Sequence, residues 1–315
     1  MSDRTRAPGF QNQIARSAGR RGYLRVRISL HNRQRASKSD LESYRAGGDW
    51  TFDPRLGADI GVTAVAAWGL ALWHRGYPDR ARTATDEALR RARQLRHLHT
   101  LVYALLIIGL AAISARNTAE AEELANELVA LSDEHRFAFF SGFGQVFQGW
   151  ALAHRGQGRA AVQRIREGLS AAEATGWRSH EPGFLGLLAE ALALTDAVSD
   201  GLTVLAEALA TGRASGARGA DAEIHRLRGE LLRRLPSPDP REVEACFRAA
   251  VAVAREQGTR GYELRAAVSL ARLLSEQGRR AETRGVLAPV YSLFTEGFDT
   301  PDLIEAMALL EALDT

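Results

Sequence analysis

The chain of 315 residues contains one cysteine, Cys246, and one lysine, Lys38. A lone cysteine cannot form a disulfide within the chain, and Cys246 lies in the apolar stretch EACFRAAVAVA, which predicts a small buried side chain. Lys38 is followed by Ser39 but preceded by Ser37, where a P-loop requires glycine. We therefore exclude ATP hydrolysis, and no other lysine is present for Schiff-base chemistry.

Aromatic residues and long apolar runs are also scarce. Aromatic residues make up 7% of the chain against 45% apolar residues, and this preponderance of small aliphatic side chains favours packed helices. The most apolar run, residues 101–115, is shorter than the ~20 residues needed to cross a membrane and is interpreted as a buried helix. The basic leader has no apolar core of a secretory signal, so we expect a cytoplasmic protein without membrane contact.

The formal net charge of +3 is unevenly distributed. Residues 1–45 contain 11 arginine or lysine residues and 3 acidic residues, a net +8, which leaves −5 for the rest of the chain. Residues 1–47 also lack periodicity and apolar content, so we expect a disordered basic leader. The remainder, residues 48–315, is predicted to be one folded domain that does not bind nucleic acid.

Small residues recur along this domain with a period of about 40 residues, typical of stacked helix pairs. Two antiparallel helices cross closely only where side chains are small, which requires one such position on the first helix and two on the second. The first position is occupied by Gly69, Gly109, Gly149, Ala189, Gly229 and Ala271, evenly spaced except for a slightly longer last step. The second is Ala81, Ala121, Ala161 and Gly201, then Ala245, which is displaced four positions further along, and Thr283. The third is Ala88, Leu128, Gly168, Ala208, Ala252 and Val290.

This register predicts an all-α, right-handed superhelix of six helix pairs. The pairs are expected near residues 59–97, 98–136, 137–177, 181–217, 220–258 and 261–297. The prolines of PSPDP at 236–240 predict a longer connection within the fifth pair. A capping helix is expected over residues 300–313, with Thr300 as N-cap, Pro301 at its first position, and Leu303, Met307 and Leu310 on one face.

The sequence from about residue 48 resembles the C-terminal tetratricopeptide-repeat (MalT-like) region of bacterial class III nucleotidyl cyclase–ATPase–repeat fusion proteins, and of related ATP-binding regulators. The resemblance rests on AAWGLALWHRGYPDRA at 66–81, GWALAHRGQGRAA at 149–161, EACFRAAVAVAREQG at 244–258 and, above all, residues 264–313. It implies a tetratricopeptide-like solenoid that acts as a sensory or regulatory arm. A cyclase or ATPase acting in trans would be the implied partner.

A solenoid of this kind presents a concave surface formed by its first helices, where a peptide or helix of a partner protein commonly binds. Counting from the small positions places two groups of residues on this surface, one aromatic and one charged. They are Leu70, Trp73, Tyr103, Phe143 and Trp150, then Glu223, Arg226, Glu230, Arg233, Arg265 and Arg272. For each aromatic residue the alternative is a place in the core between helices, and for the charged residues a solvated face.

No residue pattern indicates catalysis, a cofactor or a metal site. His97 and His99 are two positions apart, a spacing that points helical side chains away from each other. Gly142 and Gly144 fall within a predicted helix, where close packing explains them better than a dinucleotide loop. We therefore predict a non-catalytic protein-interaction module. Two alternatives are open: sensing of a small molecule, and binding of nucleic acid or an acidic partner by the basic leader.

Overall fold

A computed structural model describes residues 57–176 and 182–313, so the prediction of a disordered leader at 1–47 lies outside the described residues. Within these ranges the chain forms thirteen α-helices and no β-strand. The helices are α1 Ile60–His74, α2 Pro78–Leu95, α3 Leu98–Ser114, α4 Thr118–Glu134, α5 Ala138–His154, α6 Gly158–Ala174, α7 Pro182–Ala193, α8 Val198–Ser215, α9 Asp221–Leu232, α10 Pro240–Gln257, α11 Arg260–Glu276, α12 Arg280–Tyr291 and α13 Pro301–Glu311.

Local sequence signals set the ends of these helices. Asp59 caps α1 by accepting a hydrogen bond from the backbone N of Val62 at 2.9 Å. Pro78, Pro240 and Pro301 each begin a helix, where the missing N–H costs nothing. The predicted long connection in the fifth pair is confirmed, because α9 ends at Leu232 and α10 begins only at Pro240.

The helices pack as six consecutive antiparallel pairs, followed by α13, which confirms the predicted solenoid. The odd-numbered helices α1 to α11 are called the first helices, and the even-numbered α2 to α12 the second helices. At Gly149 of α5, an added Cβ would lie 2.9 Å from the carbonyl oxygen of Ala161 on α6, so the two backbones touch. Gly109 has a different role, since its missing side chain makes room for the ring of Phe147 in the next pair.

The remaining small positions are mostly buried at helix contacts. Gly69, Gly168, Gly201 and Gly229 each lie where a Cβ would approach another helix to 3.0 Å or less. The alanines at these positions in pairs one to four, and Ala271 in pair six, are 5% exposed or less: Ala81, Ala88, Ala121, Ala161, Ala189 and Ala208. The repeat register therefore identifies real contacts between helices.

The fifth pair departs from the predicted register. Ala245 and Ala252 are exposed on α10, whereas Val243 and Ala250 are buried against the neighbouring helices. Val243 and Ala250 each stand two positions before the alanine predicted to pack. The packing positions of α10 are therefore displaced by two residues from the regular spacing, and not by the four that the predicted register assumed. The assignment of Ala245 and Ala252 as packing residues was wrong because the prolines before α10 hid where the helix begins.

Two further expectations have different outcomes. Residues 101–115 form most of the buried helix α3, as predicted, and no helix of the described residues is long and apolar enough to cross a membrane. The capping helix α13 is present, but its three predicted apolar residues do not share one environment. Leu303 is buried, Leu310 is half-buried and Met307 is 41% exposed.

The solenoid closes on itself, because the last pair returns to the first. Helix α11 contacts α1, where Gly261 lies so close to the ring of Trp73 that no β-carbon would fit. The ring of Tyr262 meets Trp73 edge-on, with 5.4 Å between centroids. We call the boundary between the first two pairs on one side, and α11, the loop 292–300 and α13 on the other, the seam.

The outer part of the seam is polar. Arg80 Nε lies 3.0 Å from Glu296 Oε2, and the backbone N of Gly297 donates to Asp79 Oδ2 at 3.0 Å. Gly297 has a φ of +75° and packs on the ring of Pro78. Because Arg80 and Glu296 are 216 residues apart in the sequence, and Asp79 and Gly297 are 218 residues apart, these contacts join the two ends of the array.

Candidate functional site: a central cavity inside the closed solenoid

A cavity of about 200 Å³ lies at the centre of the closed solenoid. Its walls come from the inner faces of α3, α5, α7, α9 and α11, and α13 completes the enclosure. Four arginines and four acidic residues line it, so the wall carries both signs in equal number: Arg116, Arg226, Arg265 and Arg272, with Glu190, Glu223, Asp302 and Glu305. We call this space the central cavity.

Arg265 connects four structural elements at the cavity. Its Nη2 donates at 2.7 Å both to Asp302 Oδ2 on α13 and to the carbonyl oxygen of Ser114 at the end of α3. Its Nη1 is 3.4 Å from Glu223 Oε1 on α9, and its guanidinium stands 5.5 Å from the ring centroid of Trp73 on α1. Burial alone would lower the pKa of Arg265, but Asp302 and Glu223 raise it, so the charge is held permanently.

Glu223 and Arg226 form the second tight pair of the wall. One turn apart on α9, they are joined by two parallel hydrogen bonds, of 2.7 and 3.0 Å. Burial alone would raise the pKa of Glu223, but Arg226 and Arg265 lower it to about 2. Glu230 continues the row, accepting a hydrogen bond from Ser269 on α11 at 2.7 Å.

Arg116 and Arg272 approach the cavity from the seam side. Arg116 Nη1 lies 3.0 Å from Asp302 Oδ1 and 3.2 Å from Glu305 Oε2, and Arg272 is also ion-paired with Glu305. Arg272 is the more exposed of the two, with 47% of its side chain accessible. Burial lowers the pKa of Arg272, as do the charges of Arg116, Arg226 and Arg233, whereas Glu230 raises it.

The opposite wall carries an aromatic and acidic group. Trp150 Nε1 donates to Glu190 Oε2 at 3.0 Å, and His154 Nε2 lies 3.2 Å from the other carboxylate oxygen. Burial would raise the pKa of Glu190, but the hydrogen bond and charge of His154 lower it. Trp150 is 2% exposed, so its role is to hold the carboxylate of Glu190 in place at the cavity wall.

The structure divides the predicted partner-binding residues into three groups. The central cavity is lined by Trp150, Glu223, Arg226, Arg265 and Arg272. Glu230 adjoins it through an ion pair with Arg226, and Arg233 in turn pairs with Glu230. Trp73 packs in the seam. Leu70 and Phe143 are core residues, at 1% and 3% exposure, and offer no open surface. Tyr103 is half-buried beside Phe140 and does not line the central cavity.

Sequence reasoning missed four charged residues of the site and the backbone carbonyl that bonds to Arg265. Glu190 follows the small position Ala189 as Trp150 follows Gly149, so the same register would have found it. Arg116, Asp302 and Glu305 lie outside the first helices and reach the cavity only because the solenoid closes. The carbonyl oxygen of Ser114 has no sequence signal at all.

The described residues give no indication of a metal site or of a reactive thiol. No group of three or more potential metal-ligating side chains occurs within residues 57–176 and 182–313. Cys246 is buried as predicted, and burial raises the pKa of its thiol. The site is built from hydrogen bonds and ion pairs.

Comparison with known proteins gives the fold. No family model matches the chain, and no curated protein matches it by sequence. Among solved structures, that of a Rap protein complexed with competence and sporulation factor aligns over 96% of this chain and 88% of its own, with a TM-score of 0.62 and 14% identity. The apo form of RapI aligns over 92% of this chain and 98% of its own, with a TM-score of 0.57 and 13% identity. The chain has a tetratricopeptide-like solenoid fold.

At identities of 13% and 14%, these alignments establish architecture and not shared residues. They agree with the tetratricopeptide resemblance of the sequence. They do not bear on its narrower part, the relation to cyclase–ATPase fusion proteins, which stays a prediction.

Proposed function

We propose that the chain is a non-catalytic interaction module that binds a short peptide segment of a partner protein in the central cavity. The observation that carries this proposal is the convergence of five helices on one cavity. Every first helix from α3 to α11 contributes to this small space, which is lined by fixed hydrogen-bond donors and acceptors. Enclosure and convergent polar groups are the usual features of a ligand site.

The size of the central cavity limits what can enter the closed solenoid. A volume of about 200 Å³ is below the ~300–1,000 Å³ of common ligand pockets. An α-helix with side chains is about 10–12 Å across, so a partner helix does not fit while the seam is closed. An extended segment that inserts one or two side chains is the occupant that fits, which narrows the predicted choice between peptide and helix.

The crystal structure of a Rap protein complexed with competence and sporulation factor supports the proposal of a bound partner, since that protein has the same architecture. The resemblance to fusion proteins supports a finer proposal, in which the module regulates a cyclase or ATPase in trans. Small-molecule sensing is the second candidate, favoured by the small volume of the cavity. Nucleic-acid or acidic-partner binding would involve the basic leader, residues 1–47, which lies outside the described residues.

A peptide selection tests the proposal. Displayed random octapeptides are selected on the full chain, and the Kd of each selected peptide is measured by calorimetry. Arg272→Gln removes the most exposed guanidinium of the cavity and should weaken binding by tenfold or more. Arg166→Gln, exposed on the outer helix α6, is the matched control and should change nothing. Selection of no peptide, or equal binding by both variants, contradicts a peptide site in the cavity.

A further inference from the structure

The outer face of α13 is apolar, although the last helix of a solenoid ordinarily exposes polar residues. Ile304 is 48% exposed and Met307 is 41% exposed, and Ala308 lies on the same exposed side. The opposite side, with Leu303 and Ala306, is buried against the last pair. Helix α13 therefore has two apolar faces and, within the described residues, a neighbour on only one of them.

The repeat register identifies the open face. One further period after Ala271 falls at Glu311, a larger residue than the glycine or alanine of the six pairs, and Ile304, Met307 and Ala308 stand seven, four and three positions before it. In the third pair the corresponding residues are Gly142, Gln145 and Val146. An added Cβ on Gly142 would lie 2.7 Å from the carbonyl oxygen of Gly168 on α6. One added to Gly168 would lie 2.9 Å from Val146 N and 3.0 Å from Gln145 Cβ.

In a complete pair, the first-helix positions that correspond to Ile304, Met307 and Ala308 are therefore those that contact the second helix. The same correspondence in the first pair gives Val62, Val65 and Ala66, all buried where α1 packs on α2. Helix α2 meets them with a face of small residues, Ala81, Ala84, Ala88 and Ala92, each 9% exposed or less. Large residues on the first helix are matched by alanines on the second.

We propose that α13 takes the place of the first helix of a seventh pair, and that its outer face binds an amphipathic α-helix of a partner protein. The bound helix packs antiparallel to α13, in continuity with the six pairs already formed. Its contacting face carries alanine or glycine, because Ile304 and Met307 resemble Val62 and Val65 in bulk. This site lies on the end of the array and is independent of the central cavity.

A peptide copying α2, residues 78–95 with a fluorescent label, is a suitable probe because it carries the required alanine face. Titrated with the full chain, it should give saturable fluorescence anisotropy. Ile304→Asp in the protein, or Ala88→Asp in the peptide, should weaken binding at least tenfold. Leu194→Asp changes an equally exposed leucine elsewhere and should leave binding unaltered. Undiminished binding to Ile304→Asp would overturn the proposal, since the peptide would then occupy another place.

A fusion protein that carries the α2 segment tests the contact even if the free peptide binds weakly, because linkage makes the contact intramolecular. Residues 74–95, appended after Thr315, place Ala81 twelve positions after Glu311, the same separation that Ala81 has from Gly69. The fusion should raise the thermal unfolding midpoint, and Ile304→Asp within the fusion should cancel the gain. The same substitution without the fusion should barely alter stability, because Ile304 is exposed. No gain in the fusion would contradict the proposal.

The proposal of a partner helix would be overturned if either of two other segments occupied the outer face of α13. If the unmodified chain self-associates in analytical ultracentrifugation and Ile304→Asp makes it monomeric, a second copy occupies the face. If the α2 peptide binds only after residues 1–56 are deleted, that segment of the same chain occupies it.

Discussion

Arg265 and Ser114 are 151 residues apart in the sequence, yet the guanidinium of Arg265 donates to the Ser114 carbonyl oxygen at 2.7 Å. The same guanidinium bonds to Asp302, which Arg116 also contacts. The cavity wall and the seam therefore share residues. Contacts such as that of Arg265 with Asp302 both hold the solenoid closed and form part of the wall of the central cavity.

Replacing Arg265 by methionine should destabilise the fold by about 3 kcal/mol, because the carboxylates of Asp302 and Glu223 would each lose one of the two arginines that pair with them. Urea unfolding followed by circular dichroism measures the loss. Arg90→Met removes an exposed arginine that bonds only one turn along α2 to Gln94, and it should cost less than about 0.5 kcal/mol. Equal effects of the two substitutions would mean that Arg265 is not central to closure.

Stability should fall in acid partly through Glu223. Its pKa is about 2 in the fold against the ordinary 4.5, so the folded state binds this proton less readily than the unfolded state. The contribution is complete above about pH 5 and disappears as the pH falls through 4.5 towards 2. Glu190, whose pKa is also lowered, acts in the same direction.

Glu223→Gln should therefore flatten the curve of unfolding free energy between pH 6 and pH 3, as measured by urea titration at each pH. Glu242→Gln, at an exposed ion pair with Arg228, provides the comparison and should leave the slope close to that of the unmodified chain. An unchanged slope in Glu223→Gln would be inconsistent with its lowered pKa.

Gly297→Ala should disturb the seam. Gly297 has a φ of +75° and Gly278 a φ of +74°, so alanine suffers the same backbone strain of about 1–2 kcal/mol at both positions. Only at Gly297 would the new methyl group collide with Pro78, whereas nothing lies within 4 Å at Gly278. Thermal unfolding should show Gly297→Ala to be the more destabilised by at least about 1 kcal/mol; similar midpoints would argue against the contact with Pro78.

The packing role of the small positions can be tested in helices of ordinary geometry. Gly149→Ala places a methyl group 2.9 Å from the Ala161 carbonyl oxygen and should destabilise by about 1–3 kcal/mol. Gly285→Ala, on α12 with nothing within 4 Å, should instead stabilise by about 0.5–1 kcal/mol through helix propensity. Opposite signs of the two changes in unfolding free energy confirm the register, and a gain in both would refute it.

The architecture could be predicted from the sequence because close helix crossings demand small residues, and these recur visibly at a constant period. The register failed at Ala245, where prolines obscured the start of α10. The site could be predicted only in part. Residues such as Trp150 and Arg226 follow from position on a first helix, whereas Arg116 and Asp302 depend on closure of the array.

Closure follows from the sum of small rotations between pairs, which no single residue encodes. Leu70 and Phe143 were predicted to lie on the concave surface, but both are buried. The register assigns each residue to a helix face, but it does not show how completely the neighbouring pairs cover that face. Both side chains ended in the core.

Cross-linking the seam tests the closed solenoid most directly. Arg82 and Asp299 are exposed and 3.5 Å apart between charged atoms, at opposite ends of the array. With Cys246→Ser as background, the pair Arg82→Cys and Asp299→Cys should be joined within one chain by a short bis-maleimide, as seen by mass spectrometry after proteolysis. The pair Arg82→Cys and Arg213→Cys, which places the second thiol on α8, provides the control. Efficient intramolecular linkage of the first pair alone is the predicted result, and its absence would contradict the closed solenoid and the enclosed cavity that depends on it.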